Sequence, residues 1–166
     1  MSQTSTSPAE KFDTSRASEY ARQSRVALAG YDACHDLAAC MLAASLGSRP
    51  ANILVVGAGG TAQEIIAMAA LEPQWRFIAV DPSAPMLEAA LQHLEANDLL
   101  HRTQVHLGHV EDLPADGQFD AATLIGVLHH LNGDDPKRQI LHWDGKKWGG
   151  ADVPDYPLTA APNSGV

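Results

Sequence analysis

Positive charge is scarce in this chain. Lys and Arg number 11 against 20 Asp and Glu, a formal net charge of −9. A broad grip on a phosphate backbone needs clustered Lys and Arg, so nucleic acid is not the expected partner. Long apolar runs are also lacking. None approaches the ~18 residues of a membrane-spanning helix, so no span is expected. The first residues are rich in Ser and Thr and have no apolar core, so no secretory signal is expected. Only two cysteines are present, Cys34 and Cys40, six apart in a helical stretch. That spacing favours two reduced, buried thiols and a cytoplasmic protein over a disulfide. Cys34, His35 and Cys40 fit no metal-ligand spacing, so no metal centre is expected. There is no internal repeat.

What is there suffices for one folded domain. The 166 residues are 45% hydrophobic, much of it Ala and Leu, and a chain of this length can bury a core. Apolar periodicity predicts helices over 15–28 and 32–46, with Gly30 between them. Leu37, Cys40, Met41 and Ala44 share one face of the second helix. Gly47 is a C-cap and Pro50 stops continuation. Strands follow at 52–56, 76–80, 104–107 and 119–125, with helices at 62–71 and 84–96 and a short helix at about 134–142. Alternating strands and helices mean βαβ units, a parallel sheet and right-handed crossovers, so the fold class is α/β.

The most informative stretch is Ile53-Leu54-Val55-Val56-Gly57-Ala58-Gly59-Gly60-Thr61-Ala62-Gln63-Glu64. An apolar strand enters a glycine turn and a helix leaves it. Glycine permits the sharp turn and lets a ligand approach with no Cβ in the way. The helix start offers N–H groups and partial positive charge to an anionic group. Gly57-x-Gly59-x-x-Ala62 fits the dinucleotide fingerprint read literally. A turn without a ligand fits it too. Asp81 ends the second apolar run, 24 positions after Gly57. A carboxylate there accepts hydrogen bonds from both hydroxyls of a ribose.

Three further segments discriminate among nucleotide cofactors. Asp81-Pro82-Ser83-Ala84-Pro85-Met86-Leu87-Glu88-Ala89-Ala90 resembles the D-x-S-x-x-M-L-x-x-A signature of class I S-adenosylmethionine (SAM)-dependent methyltransferases. Val105-His106-Leu107-Gly108-His109-Val110-Glu111-Asp112-Leu113-Pro114 resembles that family's third-strand segment. Phe119 to Leu131 resembles its fourth strand and following turn. The resemblance covers about residues 20–142 and implies a Rossmann-like three-layer sandwich with strands ordered 3-2-1-4. A nicotinamide-dependent oxidoreductase accounts for the glycine turn and Asp81 but not for the other segments. Arg22 to Tyr31 is partly similar to the R-x-I-P-G-Y segment of the carboxy-SAM synthase subgroup, with Ala29 at the Pro position. There Tyr31 would help to cover the cofactor; otherwise it packs where two helices meet.

The resemblance also implies roles. Gly57, Ala58 and Gly59 line the methionine portion of SAM through backbone groups, and Asp81 takes the ribose hydroxyls. Pro82 and Met86 flank the adenine. His109 and Val110 hold its edge where the family has Asp-Ala, and Asp112 is an alternative acceptor. Ile125 faces the cofactor from the end of strand four. Val55 stands where the family often has an acidic residue for the SAM amino group; Glu64 takes over that group or simply starts the helix. His129 and His130 follow strand four and are candidate general bases, or belong to a common turn that caps the strand.

After about residue 142 the resemblance ends. The expected organisation is a disordered 1–14, a truncated methyltransferase domain at 15–142 and an irregular Gly/Pro-rich tail at 143–166. Asp144 to Asp155 is similar to a loop of molybdopterin formate dehydrogenases. The family's sheet continues with strands five to seven, which have no counterpart in this sequence. Strand four would then be an edge, open to the tail or to self-association. Three functions follow: SAM-dependent methyl transfer to a small-molecule acceptor, impaired if the acceptor pocket is incomplete; NAD-dependent oxidoreduction; and SAM binding without catalysis.

Overall fold

The computed structural model describes residues 14–114, 118–127, 141–143 and 148–150. The chain divides into two units, Met1–His130 and Leu131–Val166. The first holds helices α1 (Thr14–Ala27) and α2 (Tyr31–Leu46). These are followed by β1 (Asn52–Val56), α3 (Gln63–Leu71), β2 (Arg76–Asp81), α4 (Ala84–Ala96), β3 (Thr103–Leu107) and β4 (Ala121–Thr123). Its four strands form one parallel sheet in the order β3-β2-β1-β4, as expected. Ile53 lies opposite Phe77 on one side and Ala121 on the other. Central parallel strands are covered on both faces and therefore read as continuous apolar runs. Ile53, Leu54 and Val55 are all buried accordingly.

The core lies between this sheet and the helices, around Ile53, Val55, Ile65, Met68, Trp75, Phe77 and Leu94. The end of the sheet remote from the glycine turn is locked by polar groups. The Trp75 indole donates to the Arg49 carbonyl at 3.2 Å. The Arg102 guanidinium donates to the carbonyls of Trp75 at 2.9 Å and Glu72 at 2.5 Å. Asp120 accepts from the Asn52 amide and from Arg49, each at 2.8 Å, which fixes where β4 meets β1. Gly47 ends α2 at φ 66°, and its N–H donates to the Ala43 carbonyl.

One expectation for α2, the burial of its two thiols, is corrected. The face formed by Leu37, Cys40, Met41 and Ala44 points outward, with Leu37 61% and Met41 62% exposed. The helix instead buries Tyr31, His35 and Ala39. Its sequence is apolar on more than one side, so the stripe that fits α3 decides the orientation. Small Ala39 permits close approach, and the His35 ring satisfies its polar Nδ1 on the Tyr31 carbonyl at 2.7 Å. Cys34 and Cys40 are consequently free and exposed rather than buried.

The second unit contains a short antiparallel pair, β5 (Leu141–Trp143) with β6 (Trp148–Gly150). Two-residue alternation is too short to see in three-residue strands rich in Gly. The tail therefore carries strand structure where the sequence reads as irregular, and residues 141–142 of the expected helix are strand. The rest of that helix, the N-terminal segment before Thr14 and most of the tail lie outside the described residues. Among the described residues no helix is long and apolar enough to cross a membrane.

Candidate functional site

The carboxyl ends of β1, β2, β3 and β4 meet at one edge of the sheet, where open α/β sheets hold their ligands. The turn after β1 is stitched to β2. Gly57 and Ala58 donate to the Val80 carbonyl at 2.8 and 3.3 Å. Gly60 donates to the Met86 carbonyl at 2.8 Å. Gly57 and Gly60 adopt φ of 72° and 80°, the left-handed region that glycine enters without steric penalty. Gly59 is required for another reason. A Cβ there would stand 2.5 Å from Asp81 Oδ2 and 2.5 Å from the Met86 Cβ. At Gly57 a Cβ would run into the Val127 side chain.

Asp81 closes the turn. Its Oδ2 accepts from the Gly59 amide at 3.1 Å and its Oδ1 from the Ser83 amide at 2.8 Å. Burial pushes its carboxyl above the usual range, and the Ser83 and Gly59 amides and nearby His109 pull it back. Each oxygen keeps further acceptor capacity. Ser83 stands at the N-cap of α4 but makes no side-chain cap bond, and Pro85 sits in the first turn. Met86 is buried against Gly59 and Gly60, while Pro82 is half-buried beside it.

The remaining predicted residues distribute unevenly. Tyr31 is buried, and its hydroxyl is hydrogen-bonded to Thr61 Oγ1 at 3.1 Å. Burial raises its phenol above the ordinary value. His109 is exposed, and Val110 is half-buried in a 3-10 turn, Val110–Asp112, just after β3. The His109 side chain and the Asp112 carboxylate cap this turn reciprocally, with the His109 amide donating to Asp112 at 2.8 Å. Ile125 is half-buried beyond β4. His129 and His130 lie outside the described residues.

Two residues, Tyr20 and Thr61, and one contact, that of Glu64, escaped the sequence reading. Tyr20 of α1 lies over Gly60, where an added Cβ would stand 2.6 Å from its ring. Thr61 is buried and accepts from the Gln63 amide at 3.3 Å, serving the first turn of α3. Glu64 reaches across to β4, where Thr123 donates to its Oε2 at 3.4 Å. The Ile125 backbone also favours the charged form of this carboxyl. Glu64 is only 6% exposed, and its Oε1 has no hydrogen-bond partner among the described residues. Burial pushes its pKa from 4.5 up to about 8, against the pull of Thr123 and Ile125. From the sequence alone, Glu64 stands between a stand-in for the acidic residue absent at Val55 and a plain helix start. Nothing local indicated a partner 59 positions away.

Comparison with known proteins agrees with this geometry. A family model described as "Methyltransferase domain" matches residues 54–144, more than half of the chain. The match stops close to where the motif resemblance ends. A solved structure from Methanococcus maripaludis, assigned as an S-adenosyl-L-methionine-dependent methyltransferase, superposes with a TM-score of 0.55 at 21% identity. It covers 72% of this chain and 50% of that one. One from Nostoc punctiforme, assigned as an O-methyltransferase, gives 0.56 at 20% identity over 72% of this chain and 32% of that one. The N-terminal domain of EvdMO1 with SAH bound gives 0.51 at 22% identity over 61% of this chain and 41% of that one. These likenesses describe the fold. Among curated sequences, an uncharacterised Synechococcus protein is 36% identical over 84 residues, 49% of this chain and 19% of its own length. The Escherichia coli formate dehydrogenase-O major subunit is 66% identical over 32 residues, 19% of this chain and 3% of that subunit. In every case this chain spans half or less of the other protein.

Proposed function

The chain belongs to the methyltransferase-domain family, and from that premise we propose that it binds SAM at the carboxyl edge of its sheet for methyl transfer. The observation that carries this is the closure of the glycine turn on Asp81. The turn brings Gly59 within 3.1 Å of that carboxylate and leaves no room for a Cβ. The residues present fit the cofactor. Asp81 has lone pairs left for ribose hydroxyls. Pro82 and Met86 offer apolar surface for adenine, with His109 and Val110 at its edge. Gly57, Ala58 and Gly59 offer backbone, and Ile125 shape, to the methionine portion. The family match over residues 54–144 favours this reading over the oxidoreductase one.

When bound, SAM supplies an electrophilic methyl group on a sulfonium. The chain's part is then to orient the acceptor and exclude water. Tyr20 and Tyr31 stand on the helices that border the turn, and the cover role proposed for Tyr31 rests on its bond to Thr61. This also extends the partial likeness to the carboxy-SAM synthase segment. His129 or His130 would accept a proton only if the acceptor must lose one. The acceptor is a small molecule in this reading, in keeping with the net charge of −9. Two free, exposed thiols favour a reducing compartment such as the cytoplasm.

A second reading is cofactor binding without turnover. It is favoured by β4, which is at the sheet edge among the described residues and is free in this reading to pair with a second copy. Calorimetry with SAM and SAH, followed by turnover on a small-molecule acceptor panel, separates the two. Binding with turnover supports the first, binding alone the second, and neither ligand binding sinks both.

A further inference from the structure

We propose that Glu64 is the counter-ion for a cationic group of the cofactor, and that its carboxyl gives up a proton when that cation arrives. The inference rests on the SAM reading above and deepens it. Val55, on β1, is fully buried and apolar, so that strand brings no carboxylate to the site. Glu64 enters the same region from the first turn of α3, four residues after Gly60 ends the glycine turn. Its Oε2 is held by Thr123, and the Ile125 backbone favours the charged form of the carboxyl at the end of β4. Its Oε1 is buried and has no partner among the described residues. A buried oxygen left without a partner is costly unless a ligand completes it.

The surroundings explain why a cation is the missing piece. Among the described residues, the groups that face Glu64 are the Tyr31 phenol from α2, Thr123 from β4 and Ile125 just beyond it. Asp81 lies across the turn and is acidic. Among the described residues no ion pair involves Glu64. Burial without a positive neighbour holds the proton on Glu64 up to about pH 8. A ligand cation at Oε1 reverses that balance, because an opposite charge within a few ångströms favours the ionised form. SAM offers two such cations, the α-ammonium and the sulfonium. SAH keeps only the first, and 5′-methylthioadenosine has neither.

Three predictions follow for binding to the full chain. Affinity for SAM rises by up to about tenfold per pH unit below 8; above it, affinity levels off where the sulfonium is the partner and falls where the ammonium is, because the ligand amine then loses its proton. Binding releases a proton, read from calorimetry in buffers of different ionisation enthalpy. Glu64→Gln, which keeps an acceptor for Thr123, weakens SAM roughly 10- to 100-fold and leaves 5′-methylthioadenosine unchanged. The ligand amine titrates in the same range, so the difference between wild type and E64Q isolates the share of Glu64. A matching effect on SAH assigns the ammonium; an effect on SAM alone assigns the sulfonium. Carboxyl NMR of the free protein supplies a readout without ligand, with Glu64 titrating near 8.

SAM binding with no proton release and with equal affinity in E64Q overturns the role of Glu64 while leaving the cofactor reading intact. Failure of all three ligands to bind a folded wild-type chain removes the cofactor reading and this inference together.

Discussion

The two halves of the ligand edge are built differently. At the ends of β1 and β2 the polar groups are paired with one another. Gly59 and Ser83 donate to Asp81, and Gly57 and Ala58 donate to Val80. At the end of β4 a three-residue strand leads to a buried carboxyl with one oxygen unpartnered among the described residues. The first half is a preformed cradle; the second is a charge site waiting for its partner. In the proposed reading the glycine half sets where the cofactor lies, and the Glu64 half sets what it costs to bring in positive charge.

The largest expected effect tests the Glu64 half through stability. Between pH 4.5 and about 8 the folded chain holds a proton on Glu64 that the unfolded chain has lost. Stability therefore declines as pH rises across that window, and the full penalty is present above it. At about 1.4 kcal/mol per pKa unit, the decline amounts to several kcal/mol. Urea titrations at pH 5, 7 and 9 follow it, and E64Q flattens the curve and is the more stable protein at pH 9.

Next in size is Gly59→Val, which breaks the glycine half. Its side chain would collide with Asp81 Oδ2 and Met86. Crowding of this kind costs about 1–3 kcal/mol of stability, and SAH binding is lost with it. Asp81→Asn is gentler. It keeps the size of the side chain but removes the charged acceptor. Its amide accepts from only one of the Gly59 and Ser83 N–H groups and sets a donor against the other, so chemical denaturation shifts by about 1–2 kcal/mol, while SAH binding weakens by about 2 kcal/mol in calorimetry.

The smallest expected effect sharpens where the turn hands over to α3. Ala62 holds a left-handed φ of 49° as the N-cap of α3. Ala62→Gly relieves that strain and raises stability by about 1 kcal/mol, visible as a higher thermal midpoint.

The same contrast explains what the sequence discloses. The turn, Asp81 and α4 are encoded locally, so their spacing is readable and the predicted helix 84–96 coincides with Ala84–Ala96. The sheet order follows from alternating strands and helices together with the motif resemblance. Packing choices are not local. Leu37 and Met41 look like core on a helical wheel, yet α2 turns Tyr31, His35 and Ala39 inward because that stripe fits α3. Glu64 meets Thr123 only after β1 and β4 pair, with Leu54 opposite Ala122 and Val55 opposite Thr123. His109 is read as an adenine contact from its position, but its side chain also serves the 3-10 turn that follows it.

The central claim is that the Gly57–Gly60 turn and Asp81 form a SAM-binding cradle. Isothermal calorimetry of the full chain with SAH, run beside Asp81→Asn and with NADH as the competing ligand, tests it most directly. The account predicts saturable one-to-one binding of SAH, weakened in the variant, and no binding of NADH. SAH binding unaffected by Asp81→Asn, or NADH bound in place of SAH, would contradict it.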